Sequence, residues 1–145
     1  MNVAIIDKPL ELDVYGFAGT ALNKDYAGTA FKLMDKMWQV VKANGLKHKG
    51  LNIWVYEPGE KVFAGVELDG LPAIDTGLER KNIILEKYAY YKHIGPYSQL
   101  KQAGINMNAE LKSMGFETCL PYIEIYGHWT SDETKLETGL FMNLK

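Results

Sequence analysis

Two six-residue stretches decide the fold: Leu51-Asn-Ile-Trp-Val-Tyr56 and Pro121-Tyr-Ile-Glu-Ile-Tyr126. Both fit the frame Ile-x-[Val/Ile]-Tyr, and their apolar residues alternate as they do in a β-strand. Each frame follows a glycine at the same distance, Gly45 in the first case and Gly115 in the second. A frame that recurs with its flanking glycine indicates an internal repeat.

The similarity extends to both sides of the frame. Residues Leu12 to Tyr15 read Leu-Asp-Val-Tyr, and residues Leu85 to Tyr88 read Leu-Glu-Lys-Tyr. Each of these motifs opens a β-like run that leads into an amphipathic helical pattern. A second apolar run follows each frame, from Lys61 to Leu68 and from Thr138 to Leu144. Each half of the chain therefore predicts the order β-α-β-β.

We predict a single α+β domain over residues 1–145, built from repeats at about 1–70 and 80–145. The repeats are expected to form two related antiparallel sheets that face each other, with outer helices and a central ligand cleft. Ligands tend to bind in such a junction between two units.

In the first unit, residues 11–20 are predicted to form a strand, and Asp25 is a plausible N-cap of the following helix. Apolar residues then recur at intervals of three and four until Asn44-Gly45, which is a helix C-cap signal. Residues 71–81 are interpreted as a linker. The second unit is expected to open with one strand over residues 83–93, ended by Gly95-Pro96 before the second helix.

Composition excludes several classes of protein. A chain of 145 residues that is 47% apolar can bury a core. The net charge of −2 argues against a nucleic-acid surface, and no run is apolar and long enough to span a bilayer. The first residues do not form a signal peptide, and Cys119 is the only cysteine. These features predict a cytoplasmic protein with no membrane contact and no direct nucleic-acid binding.

The alternation of side chains across a strand predicts which residues line the cleft. We expect the Ile and Val residues of the two frames to pack on the helices and the alternate residues to face the cleft. The cleft residues predicted from the frames are Trp54, Tyr56, Tyr122, Glu124 and Tyr126. The flanking strands add Tyr88, Tyr90 and Phe141 as further ligand-binding candidates.

Aromatic walls with one carboxylate have a defined chemistry. They bind flat apolar molecules and hold cations over the ring faces. Glu124 would favour a positive charge there, or accept a proton from a bound hydroxyl or water. Two plainer interpretations stay open, since these aromatic residues are also compatible with a closed core or with a solvated face of the sheet.

The remaining chemistry-bearing residues give weaker signals. The three histidines, His48, His93 and His128, show no spacing typical of metal ligands, so no metal site is predicted. Cys119 has no neighbouring His or Asp motif and is interpreted as structural. No glycine-rich phosphate loop is present, and no cofactor is expected.

Three motifs together resemble the GyrI-like effector-binding domains. They are Lys87-Tyr-Ala-Tyr-Tyr-Lys-His93-Ile-Gly-Pro-Tyr97, a helix end at Met114-Gly-Phe116, and Pro121-Tyr-Ile-Glu124-Ile-Tyr126. The resemblance covers essentially the whole chain. It implies a cleft for hydrophobic, often cationic, small molecules, with Glu124 in the place of the family's cleft glutamate.

The resemblance implies several functions. Stand-alone members bind or sequester xenobiotics and toxins, and this is the first expectation here, with a hydrophobic or cationic small molecule as the partner. A second is a hydrolase that opens cyclopropane-type electrophilic genotoxins, with Glu124 as the general base. A third is a protein–protein inhibitor of the DNA gyrase inhibitor type, and a protein partner or a homodimer is compatible with it. Members fused to a DNA-binding domain are a poor match, because 145 residues leave no room for one.

Overall fold

The computed structural model describes all residues 1–145, which form eight strands and two α-helices. The strands are β1 (Ala4–Ile6), β2 (Leu10–Thr20), β3 (Asn52–Glu57), β4 (Lys61–Val66), β5 (Glu79–Leu85), β6 (Tyr88–Ile94), β7 (Thr118–Tyr126) and β8 (Glu137–Leu144). The helices are α1 (Tyr26–Ala43) and α2 (Leu100–Ser113). Neither helix has the length and apolar composition that crossing a membrane requires.

The first helix begins and ends where the sequence predicts. The Asp25 carboxylate accepts a hydrogen bond from the backbone N–H of Gly28 at 3.0 Å, which satisfies one of the free donors of the first turn. The helix ends before Gly45, whose φ of 59° is the left-handed conformation typical of a helix C-cap. Both predicted signals are thus confirmed.

The prediction of a single strand over residues 83–93 is wrong. This run forms two strands, β5 and β6, separated by Glu86-Lys87. β5 pairs with β2 and β6 pairs with β8, so the polar pair marks the point where the chain passes from one half of the sheet to the other. The predicted linker 71–81 is also too long, since β5 already begins at Glu79.

All eight strands join one antiparallel sheet in the order β1-β6-β8-β7-β3-β4-β2-β5. We expected two separate sheets that face each other, and this expectation is wrong. The two halves form one sheet because β3 and β7 pair directly at its centre. This order is symmetric about the centre of the sheet: each strand of the first half (β1–β4) has its counterpart from the second half (β5–β8) at the same distance on the other side. The leading strand of each half, β1 or β5, pairs with the other half.

The two faces of the sheet bury different partners. The face of Ile53, Val55 and Ile123 packs into a core that strands from both ends of the sheet share, so the sheet curls around this core. Both helices lie on the opposite face. There α1 packs in the same apolar cluster as Trp54, and α2 packs in the cluster that Tyr126 borders. The expectation that the Ile and Val residues pack on the helices is therefore wrong, because a curled sheet buries that face against itself.

Candidate functional site

The centre of the sheet brings the two repeated frames into register. Trp54 of β3 pairs directly with Glu124 of β7, and Tyr56 pairs with Tyr122. Trp54 and Glu124 also occupy the same position within the two frames. An approximate twofold axis of the sheet therefore passes between these two residues, and their side chains lie on the face that carries the helices.

Glu124 is the centre of a hydrogen-bonded network. Tyr126 donates to its Oε1 at 2.7 Å, and Tyr56 donates to the same oxygen at 3.1 Å. Tyr122 donates to Oε2 at 3.0 Å. Glu124 is only 7% exposed, so these three hydroxyl groups replace water as donors to its carboxylate.

Strand geometry explains why these four side chains meet. Tyr122 and Tyr126 lie two residues before and after Glu124 on one strand, so all three side chains point to the same face. Tyr56 arrives from β3, and its ring stacks on that of Tyr122 at 5.7 Å between centroids. The Trp54 ring meets Tyr126 edge-on at 4.8 Å. Aromatic contacts therefore hold the donors around the carboxylate.

The three hydroxyl groups are donors and not bases. Burial, and next the negative charge of Glu124, raise the pKa of Tyr56 and of Tyr122 well above the ordinary value for tyrosine. The same two causes raise the pKa of Tyr126. All three groups keep their protons at neutral pH, so each can supply a hydrogen bond to an anionic oxygen.

This network forms the floor of a cavity of about 1310 Å³. The floor comes from β3 and β7, and the walls come from the N-terminal half of α1, the start of α2 and the loop after β7. The apolar and aromatic side chains that line it include Tyr26, Phe31, Met34, Trp54, Tyr56, Tyr97, Leu100, Leu120, Tyr122, Tyr126 and Trp129. The cavity lies between the helices because both helices pack on this face.

Among the carboxylates that line the cavity, only Glu124 is both buried and without an ion-pair partner. Asp25 is exposed and caps α1, and Glu57 forms an ion pair with Lys81. No lysine, arginine or histidine side chain pairs with Glu124 in the structure. Exposed ammonium groups of the lining belong to Lys24 and Lys101. The floor of the cavity is therefore a site of negative charge.

The structure separates the predicted site residues into two groups. Trp54, Tyr56, Tyr122, Glu124 and Tyr126 line the cavity together. The flanking-strand candidates do not reach it, because their side chains point to the other face of the sheet and pack in or against the core there. This corrects the assignment of Tyr88, Tyr90 and Phe141.

Four aromatic residues that line the cavity were not predicted from the sequence. Tyr26 and Phe31 come from α1, Tyr97 precedes α2, and Trp129 lies in the loop after β7. Tyr97 closes the motif His-x-Gly-Pro-Tyr, so the resemblance already carried a signal for it. Trp129 is 75% exposed and belongs to no periodic pattern, so no sequence signal placed it at the cavity.

The histidines and the cysteine lie outside this network. A ring nitrogen of His93 lies 3.4 Å from the backbone oxygen of Pro96, next to the turn that precedes α2. Cys119 is half-buried and lines a smaller neighbouring cavity. No group of three or more His, Cys, Asp or Glu side chains is arranged to hold a metal ion.

Comparison with known proteins identifies the fold. No family model and no curated protein sequence matches the chain. The C-terminal domain of EcmrR superposes with a TM-score of 0.79 at 19% identity, over 99% of this chain and 97% of that one. SAV2435 bound to tetraphenylphosphonium gives a TM-score of 0.66 at 19% identity, over 100% and 94% of the two chains. A hydrolase from Listeria innocua gives 0.58 at 14% identity, over 99% and 91%.

These similarities concern the fold. They show that the chain shares the fold of these proteins, which is the GyrI-like fold that the sequence resemblance implied. The α+β class with an antiparallel sheet is likewise confirmed. In a complex of EcmrR with DNA the match covers only 57% of the EcmrR chain, so the rest of that protein has no counterpart in this match.

Proposed function

We propose that this protein binds hydrophobic organic cations in the cavity between its helices, with Glu124 as the counter-charge. The observation that carries the proposal is a buried carboxylate without an ion-pair partner on the floor of an aromatic cavity. Burying an unpaired charge is costly, and an aromatic cation would supply the missing partner.

The surroundings of Glu124 suit an organic cation better than a small hydrated one. Tyrosine hydroxyl groups already occupy both carboxylate oxygens, so the charge acts on a ligand mainly through space. Rings of Trp54 and Tyr126 offer aromatic surfaces beside it, and each favourable cation–π contact contributes about 0.5–2 kcal/mol. A ligand that spreads its positive charge over an apolar body uses both features.

A fold relative supports the ligand class. SAV2435, which has been solved with tetraphenylphosphonium, shares this fold along the whole chain. Tetraphenylphosphonium carries its charge inside four phenyl rings. Its chemistry therefore matches what the cavity offers here.

The test compares two ions of the same shape and opposite charge. Tetraphenylphosphonium and tetraphenylborate are titrated separately into the protein by isothermal calorimetry. We expect one phosphonium ion to bind per chain and the borate to bind at least tenfold more weakly. Equal affinity for the two ions would contradict the proposal, because shape and apolar area alone would then explain binding.

Hydrolysis is a second candidate function, because the Glu124 carboxylate lies in a cavity beside tyrosine hydroxyl donors. In this alternative, Glu124 takes a proton from water while the water oxygen bonds to a carbon of a strained cyclopropane ring. The ring carbon–carbon bond breaks, and its electron pair moves to the electron-withdrawing part of the substrate. The hydrolase from Listeria innocua, which shares the fold, makes this chemistry worth testing.

Turnover decides between binding and hydrolysis. If the protein is a hydrolase, Glu124→Gln should lower the rate by about 10²–10⁴-fold, because it keeps the shape and removes the base. Absorbance of a cyclopropane-bearing alkylator is followed with wild type, variant and buffer. A wild-type rate equal to that of buffer across a panel of such compounds would remove the hydrolase alternative for that class.

Three further expectations stay predictions. They are the gyrase-type protein inhibitor, the homodimer and the cytoplasmic location. A pulldown with purified gyrase tests the first, and sedimentation tests the second. Neither experiment depends on the ligand, so the results are independent of the cation proposal.

A further inference from the structure

A second cavity of about 450 Å³ adjoins the large one on the side of α2. Both cavities share the lining residues Leu100, Lys101, Leu120, Tyr122 and Glu124. The residues that line only the smaller one are Gly104, Ile105, Asn108, Thr118, Cys119 and Met142. Glu124 and Tyr122 therefore stand at the boundary between two compartments of one cleft.

We propose that a single ligand occupies both compartments, with its cationic aromatic head in the large cavity and a neutral apolar arm in the small one. The inference rests on the proposed function and specifies its substrate class: amphiphilic cations with a flexible arm, in preference to compact cations. The head would meet the carboxylate at the boundary, and the arm would pass Tyr122 and run along α2.

The position of Gly104 supports a built compartment. Glycine destabilises the interior of a helix, yet Gly104 lies inside α2. Packing does not demand it, since an added Cβ would have a single neighbour, the Tyr122 hydroxyl oxygen, at an ordinary contact distance of 3.9 Å. The missing side chain leaves space that belongs to the small cavity.

The lining indicates that the arm is neutral and apolar. Leu100, Ile105 and Met142 supply hydrocarbon surface. Asn108 accepts a hydrogen bond from Thr118 at 2.9 Å, so the polar groups of this wall already pair with each other.

The first test measures how affinity depends on the length of the arm. Alkyltriphenylphosphonium ions from methyl to octyl are titrated into the protein. We expect the affinity of the wild type to rise roughly two- to fourfold for each methylene that becomes buried. Gly104→Leu should flatten this rise, because the new side chain occupies the compartment. The control Asn106→Leu adds the same side chain to an exposed position of α2 outside both cavities and should keep the rise.

The second test uses the only cysteine as a reporter. Cys119 lines the small cavity and does not line the large one. At saturating ligand, octyltriphenylphosphonium should slow its reaction with a maleimide at least fivefold more than methyltriphenylphosphonium does. Equal protection by the two ions would place the arm elsewhere.

The outcomes separate this inference from the function on which it rests. Phosphonium binding without any dependence on arm length, or with the same dependence in wild type and Gly104→Leu, would overturn the inference and leave cation binding intact. Absence of binding by every phosphonium ion would overturn both. A rise in affinity that Gly104→Leu flattens, together with selective protection of Cys119, would support both.

Discussion

The two halves of the sheet share a backbone plan but place different side chains at its centre. Trp54 occupies this position in β3, and Glu124 occupies it in β7. The flanking residues of the frames are similar: Ile53 and Ile123 both lie in the core on the other face. The repeat therefore provides a cleft with apolar walls, and the difference at one position provides its charge.

This comparison separates stability from recognition. Residues that the halves share bury apolar surface and hold the sheet together. The residue that differs is a carboxylate, whose burial contributes little stability by itself and is costly without donors. Under the proposed function, Glu124 is present to contact a ligand, whereas Trp54 both packs in the protein and lines the binding cavity.

The largest effect is expected at Trp54. Trp54 is 5% exposed, and its ring meets the rings of Phe31 on α1 and Tyr126 on β7 edge-on. Trp54→Ala should lower the free energy of unfolding by about 3–5 kcal/mol because it leaves a cavity. Urea unfolding measures the loss. Glu124→Gln, at the equivalent position, should change stability by less than half as much, and equal losses would break the comparison.

The local elements of the fold could be predicted from the sequence, but their pairing could not. The ends of the first helix, at Asp25 and Gly45, were predictable because capping depends only on residues close in sequence. The crossing of β1 and β5 to the opposite halves depends on contacts far apart in sequence, which periodicity does not record. The break between β5 and β6 at Glu86-Lys87 could not be predicted for the same reason.

The site shows the same limit. Alternation assigned Trp54 and Glu124 to one face of the sheet, but it does not tell which face the helices cover. Tyr88, Tyr90 and Phe141 were misplaced because an aromatic strand residue suits a core as well as a cleft. Trp129, an exposed cavity residue in the loop after β7, follows no period at all.

The second effect concerns the network in alkaline solution. Burial and the charge of Glu124 raise the pKa of Tyr126 above its ordinary value, so above about pH 10 the unfolded chain loses this proton first. Stability is thus complete below that pH and falls as pH rises above it. Tyr126→Phe should make this fall shallower by up to about 1.4 kcal/mol per pH unit. Urea unfolding at several alkaline pH values measures the slope, and an unchanged slope would show that Tyr126 ionises equally in both states.

The smallest effect compares the helix starts of the two halves. The Asp25 side chain caps α1, whereas Gln99 at the start of α2 makes no side-chain capping bond. Asp25→Ala should lower the free energy of unfolding by about 0.5–2 kcal/mol. Gln99→Ala should change it by less than about 0.5 kcal/mol. Thermal and urea unfolding of the two variants measure the difference, and a larger loss for Gln99→Ala would reverse the predicted asymmetry.

The most direct test of the account is a binding cycle at Glu124. Methyltriphenylphosphonium and neutral triphenylphosphine oxide are titrated into wild type, Glu124→Gln and Glu86→Gln, whose lost charge lies outside the cavity. Opposite charges about 6–10 Å apart attract by about 1.5–3 kcal/mol at an effective dielectric constant of about 20. This predicts that Glu124→Gln weakens the cation about ten- to a hundredfold and the neutral compound less than threefold. Glu86→Gln should change neither affinity. Equal losses for cation and neutral compound in Glu124→Gln would contradict the role of Glu124 as the counter-charge.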